Sequence, residues 1–257
     1  LVTSDNGNMS KGMNMGNRDA CTCGRGEAAT ALRDASPIVL SPQQTLELKQ
    51  VIKHVEYYQP LYGIQVTPKP LRSCRDRAEV IAAAMETLDG ERRLIDFGSS
   101  LGYFVFYFAD RGVVAEGLEC GPANVAVAET VRRINGLDCS FHCAELTLEY
   151  VRDLPAGKYE VGLILSVLHH IVHQHGLAYA AELMAELIER IPMLIVELAH
   201  REEPVNFAWR DSQPADPLAV LSACRNIRMK KLGEFETHLS HVRRALWCIE
   251  KDTSEAS

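Results

Sequence analysis

Leu94-Ile95-Asp96-Phe97-Gly98-Ser99-Ser100-Leu101-Gly102-Tyr103-Phe104 holds an apolar strand, a turn of small residues and the opening of a helix. The spacing predicts a strand over Arg93 to Gly98 with Asp96 near its end. Gly98 and Ser99 then form a tight turn, and a helix runs from Gly102 to Arg111. Small residues are needed where a ligand approaches the backbone at the carboxyl end of a strand. Alone, such a turn also fits an ordinary strand-to-helix connection. After it, strands are expected at Val114 to Glu119, Cys139 to Ala144, Tyr159 to Ser166 and Met193 to Ala199. Helices are expected at Pro122 to Asn135, Leu146 to Leu154, Ala178 to Arg190 and about Pro217 to Arg225. Two final strands, Met229 to Glu236 and Ala245 to Lys251, have no helix between them. Alternating strands and helices, with strands apolar on both faces, give an α/β fold with a mostly parallel sheet covered on both sides. The last pair adds a C-terminal antiparallel hairpin, for seven strands in all.

Two carboxylates sharpen the reading. Glu119 ends the second strand, 21 residues after Gly98, where an acidic side chain can accept hydrogen bonds from both hydroxyls of a ribose. Glu145 follows the third strand in Ala144-Glu145-Leu146, placed to meet the amino edge of an adenine. Ser99-Ser100-Leu101 fills the middle of the turn, so the G-x-G-x-x-G of a dehydrogenase is missing. These features favour S-adenosylmethionine over a nicotinamide cofactor. The fold expected is a Rossmann-like class I methyltransferase, with Asp96, Gly98, Ser99, Gly102, Glu119, Glu145 and Ser166 as cofactor residues.

The fourth strand leads into Val167-Leu168-His169-His170-Ile171-Val172-His173-Gln174-His175-Gly176. Imidazole titrates near neutrality, so His170 first, then His169 and His173, are candidate catalytic groups toward an acceptor oxygen. His169 and His173 are also four residues apart, as metal ligands on a helix would be, but the Glu of an H-E-x-x-H motif is absent and no metal is expected. A scaffolding role, with rings bonded to loop backbone, is the third alternative. Glu197, Glu202, Glu203, His200 and Arg201 follow the fifth strand, and Asn206, Trp209, Arg210, Thr237 and His238 complete the expected acceptor side. Trp209 suits stacking on a sugar ring as well as anchoring a loop; Arg201 and Arg210 could pair a phosphate.

The net charge of −7 and the lack of a long Lys/Arg run argue against a nucleic-acid partner. No apolar stretch approaches the ~18 residues of a membrane span, and the N-terminus has no apolar core of a secretory signal. The eight cysteines show no framework spacing and read as reduced, mostly buried thiols of a cytoplasmic protein; Cys21 and Cys23 lack a second pair for zinc. Residues 1–40 read as a disordered tail, 41–90 as an N-terminal helical cap, and 91–257 as the cofactor-binding domain. In the cap, Ser41-Pro42 starts a helix carrying Leu46, Leu48, Val51, Ile52 and Val55; an ordered loop follows from Tyr57 to Leu71, then a helix from Asp76 to Leu88.

From Tyr57 to Lys251 the sequence resembles the methyltransferase domain of the WbdD-like O-antigen chain-terminating kinase/methyltransferases. The likeness is strongest in Leu165 to Gly176, in Val196-Glu197-Leu198-Ala199-His200-Arg201-Glu202-Glu203-Pro204, in Ser212 to Pro217 and in Gly233 to Ser240. The resemblance implies methylation of a glycan acceptor, at a sugar hydroxyl or a terminal phosphate of a lipid-linked polysaccharide. It also implies that Arg77 pairs with the cofactor carboxylate and that the histidines wall the active site. Kinase and coiled-coil regions have no counterpart here, so a phosphorylated acceptor would need a separate kinase, with glycan-assembly proteins as further partners. Location at the inner membrane would then come through such partners. Small-molecule O-methylation and a silent cofactor-binding subunit are the alternatives.

Overall fold

The computed structural model describes residues 37–67, 69–204, 206–237 and 241–252. Residues 1–36 of the expected tail, with Cys21 and Cys23, and His238 lie outside them.

The first helix among the described residues is α1 (Pro42–Ile52), whose start is a capping box. Ser41 Oγ accepts from Gln44 N at 3.2 Å, and Gln44 Oε1 accepts from Ser41 N at 2.9 Å. A loop and α2 (Arg75–Met85) precede the alternating part: β1 (Arg93–Phe97), α3 (Tyr103–Ala109), β2 (Val114–Glu119), α4 (Pro122–Asn135), β3 (Ser140–Cys143), α5 (Leu148–Asp153), β4 (Val161–Leu165), α6 (Leu168–His175), α7 (Leu177–Arg190) and β5 (Met193–Glu197). After two short 3₁₀ turns come β6 (Ile227–Glu236) and β7 (Arg243–Lys251). The seven strands lie in the order β3-β2-β1-β4-β5-β7-β6. β1 to β5 are parallel; β7 runs antiparallel between β5 and the edge strand β6. The expected fold is therefore the fold observed.

Side-chain alternation divides the core. Leu94, Leu163 and Ile195 face one layer with α1 to α4, while Ile95, Ile164 and Val196 face the other with α5, α6 and α7. α3 (Tyr-Phe-Val-Phe-Tyr-Phe-Ala) is buried from Tyr103 to Phe108, which is why its pattern shows no polar face.

One expected helix is corrected, and two details are added. The helix expected over Pro217 to Arg225 is only a 3₁₀ turn, Pro217–Leu221. Asp216 Oδ1 caps it by accepting from Leu218 N, and the chain then leaves through Asn226 at φ 49° into a strand that begins at Ile227. The histidine segment is a helix of its own, separated from α7 by Gly176 at φ 88°. Leu46 points outward, 60% exposed, while Leu48 is the buried residue of α1. The thiols also differ from expectation: Cys120 and Cys143 are exposed, and only Cys74 and Cys248 are buried among the described cysteines.

Gly102 caps α3 at φ 84°, and a Cβ there would lie 2.7 Å from the Phe141 ring. Gly102→Ala is expected to lower stability by roughly 1–3 kcal/mol through backbone strain plus overpacking. Urea unfolding followed by circular dichroism measures this; an unchanged midpoint would show that the ring yields freely.

Candidate active site

The carboxyl ends of β1, β2 and β4 meet where the strand order reverses, and a cavity of about 810 Å³ opens there. Because β7 is antiparallel, its first residues reach the same end of the sheet as the last residues of β5.

The floor is Gly98, at φ 75°, which packs so close to Val167 that a Cβ would come within 2.5 Å of it. Gly98 N and Ser99 N both donate to Leu118 O, so the turn is stitched to β2. Glu119 lines the cavity, and donors around it fix its carboxylate: Ser100 N on Oε2 at 2.9 Å, Gly121 N on Oε1 at 2.8 Å and Asn124 Nδ2 on Oε1 at 3.3 Å. Ser100 adopts φ 52° to deliver its amide. Glu145, Ala144 and Leu146 line the wall beside β3.

The other cofactor candidates sit behind this surface. Ser99 is fully buried with its Oγ unpartnered, and Gly102 packs on Phe106 and Phe141. Asp96 is 2% exposed; burial, then the nearby charge of Glu119, pushes its carboxyl up to about 7. Arg77 does not line the cavity. Its Nη1 bonds Glu197 Oε2 at 3.1 Å, its Nη2 donates to Ser73 O, and its Nε is buried without a partner.

At the acceptor end, His169 and His170 line the cavity with ring centroids 4.1 Å apart, and His169 lies 4.4 Å from the Trp209 ring. Trp209 stacks on Phe207 at 5.2 Å. Burial first, then His170 and Arg244, lowers the His169 pKa far below its ordinary value; burial, then Arg244, lowers that of His170. Both rings are therefore neutral at neutral pH. His169 Nδ1 is buried and unpartnered. His173 faces away from the cavity, 3.2 Å from Ser212 Oγ. Gln213 fixes the loop by donating to the carbonyls of His169 and Trp209.

Sequence reasoning missed the group that ties these parts together. Arg72 forms a bidentate pair with Glu197, 2.9 Å on each oxygen, and Arg244 a bidentate pair with Glu203, 2.7 Å on each. Ser166, at φ 62°, donates to Glu197 Oε1 at 2.7 Å and accepts from Arg72 and Arg244 at 3.3 and 3.1 Å. Glu197 does not reach the cavity, contrary to its expected place over the acceptor. Its burial would raise its pKa, but Arg77 and Arg72 hold the carboxyl down at about 2. Arg244 does line the cavity, as do Tyr58 and Gln59 from the loop after α1; neither Arg201 nor Arg210 does. Among the described residues, no group of three His, Cys, Asp or Glu is placed to hold a metal, and no helix is long and apolar enough to cross a membrane.

The chain is 29% identical over 212 residues to WbdD of Escherichia coli, described as an O-antigen chain terminator bifunctional methyltransferase/kinase. That match covers 80% of this chain but only 29% of the relative. A crystal structure of the bifunctional kinase-methyltransferase WbdD superposes with a TM-score of 0.73 at 28% identity, covering 79% of this chain and 46% of that one. The chain has the Rossmann-like fold of class I S-adenosylmethionine-dependent methyltransferases and is similar to WbdD, of whose length it spans less than half. A magnesium protoporphyrin IX methyltransferase from Synechocystis, solved with bound S-adenosylmethionine, shares the fold at a TM-score of 0.51 and 16% identity over 69% of this chain and 79% of that one. No family model matches the chain. Its cavity suits S-adenosylmethionine: a glycine floor without room for a Cβ, a Glu119 carboxylate held by fixed donors and an unpartnered Ser99 hydroxyl beneath.

Two measurements follow from this geometry. Glu119→Gln is expected to weaken S-adenosylhomocysteine binding by roughly 10–100-fold, the loss of two charge-assisted bonds; calorimetry showing unchanged affinity would remove Glu119 from the ribose site. Asp96 binds its proton more tightly folded than unfolded, so its contribution is complete below about pH 4 and is lost as pH rises through about 7. Asp96→Asn should therefore flatten the pH dependence of stability between those values, measured by denaturant unfolding across that range.

Proposed function

We propose that the chain transfers a methyl group to an oxygen at the end of a glycan of O-antigen type, and that this oxygen belongs to a terminal phosphate. The observation that carries the reading is the charge at the acceptor end. Arg72, Arg77 and Arg244 pair with Glu197 and Glu203 in the buried network, and Arg244 is the member that lines the cavity. Of its five N–H groups, Glu203 takes two and Ser166 one, so two remain to meet an anion. The resemblance to a chain-terminating methyltransferase/kinase supports the glycan.

S-adenosylmethionine supplies an electrophilic methyl group on a positively charged sulfur. The residues of this chain have the remaining tasks. Glu119 and the Gly98 turn hold the nucleoside, and Arg244 draws the acceptor oxygen into line with the methyl carbon. Trp209 and Phe207 shield the site from water. The acceptor oxygen gains the carbon while sulfur keeps the electron pair, and a phosphate already deprotonated needs no base. The phosphorylated end must come from a kinase reaction, whichever polypeptide performs it.

A sugar hydroxyl is the second reading, favoured by the neutral His170 at the cavity, which could take the hydroxyl proton. Labelled S-adenosylmethionine with paired oligosaccharides, bare or carrying a terminal phosphate, separates the two. Transfer to the phosphorylated glycan alone is expected, with His170→Ala lowering kcat by less than about tenfold. Transfer to the bare glycan, with a loss of ~10²–10⁴-fold in His170→Ala, would establish the hydroxyl reading instead.

A further inference from the structure

Arg244 is long enough to adopt many rotamers, yet it is 3% exposed and its guanidinium lies in one orientation. Glu203 sets that orientation. Its Oε1 accepts from Arg244 Nε at 2.7 Å and its Oε2 from Nη2 at 2.7 Å, the planar fork that a carboxylate and a guanidinium form best. Glu203 is itself 1% exposed, and a short turn fixes it: His200 N donates to its Oε1 at 3.1 Å and Glu203 N donates to His200 O. It is absent from the cavity wall, so it has no means of touching an acceptor directly.

We propose that Glu203 is a positioning residue of the acceptor site, which clamps the Nε–Nη2 edge of Arg244 so that its remaining N–H groups meet the anionic acceptor. The inference rests on the phosphate reading above. Without Glu203, the positive guanidinium would turn toward Glu197, whose Oε1 is already 3.7 Å from Arg244 Nη1, and would leave the cavity. A carboxylate therefore creates an anion site here by holding a cation against a competing anion. The Arg244–Trp209 contact, 5.7 Å from guanidinium carbon to ring, limits the side chain from the other side.

The test uses the full chain loaded with S-adenosylhomocysteine and titrated with inorganic phosphate. Glu203→Gln keeps the shape but replaces one acceptor oxygen by a donor. Glu203→Asp keeps the charge and withdraws it by one methylene, and it is the variant to read if the first does not fold. Phosphate affinity is expected to fall by roughly tenfold or more in both, with S-adenosylhomocysteine affinity unchanged, a separation that a purely structural role would not produce. Phosphate binding equal to wild type in either folded variant overturns the proposal. In the wild type, the Nε–H resonance of Arg244, assigned by its loss in Arg244→Lys, should persist at neutral pH and shift when phosphate is added. A resonance that does not move overturns the proposal without any Glu203 variant. If wild type binds no phosphate at all, the anionic-acceptor reading fails first and this inference with it, an outcome distinct from equal binding by wild type and variants.

Discussion

The carboxylate of Glu197 is fully buried and carries a full charge, and much of the architecture follows from satisfying it. Its partners come from four places: Arg72 in the loop before α2, Arg77 in α2, Ser166 after β4 and Arg244 in β7. Taking one partner from such a network leaves a buried charge uncompensated, at a cost of about 3–5 kcal/mol. The N-terminal segment is thereby held over the carboxyl edge of the sheet, and Tyr58 and Gln59, which flank the cavity, are held with it. The same network fixes Ser166 in a left-handed conformation that a serine adopts only when its surroundings impose it. Binding geometry and stability thus depend on one set of charges.

The cofactor end is organised on a different principle. There, backbone amides carry the burden: Ser100 and Gly121 aim their N–H groups at Glu119, and the Gly98 turn bonds to β2. Backbone donors have little conformational entropy left to lose, so the Glu119 carboxylate stands in place before any ligand arrives. Long side chains organise the acceptor end instead, which is where specificity among acceptors can change without disturbing the nucleoside site.

That division explains what the sequence made legible. The strand-turn-helix at Asp96 to Tyr103, the acid ending β2 and the histidine run are local patterns, readable within a few residues of themselves. The sheet was legible too, because double-sided apolar strands and helical spacing recur from Arg93 onward. Arg72 and Arg244 were not, since the partners that give them meaning lie 125 and 41 residues away in the chain. Arg77 shows the same difficulty in reverse: the resemblance implied a cofactor carboxylate as its partner, but a buried glutamate 120 residues away takes its Nη1. Pro, Leu and Val after an Asp cap imitate a helix start at Pro217, but the turn ends at Leu221, well before the left-handed Asn226 leads into β6.

The charge that draws an anion and the neutrality of the histidines are one effect rather than two. Arg244 disfavours an imidazolium at His169 and at His170, and by the same potential it would favour the anionic acceptor proposed above. A neutral His170 can still donate one ring N–H to a phosphate oxygen without competing with Arg244 for charge. Were the acceptor a hydroxyl, the proton leaving it would have to settle on a ring whose protonated form the neighbouring guanidinium opposes. The electrostatics of the cavity wall therefore suit the proposed acceptor that brings its own negative charge.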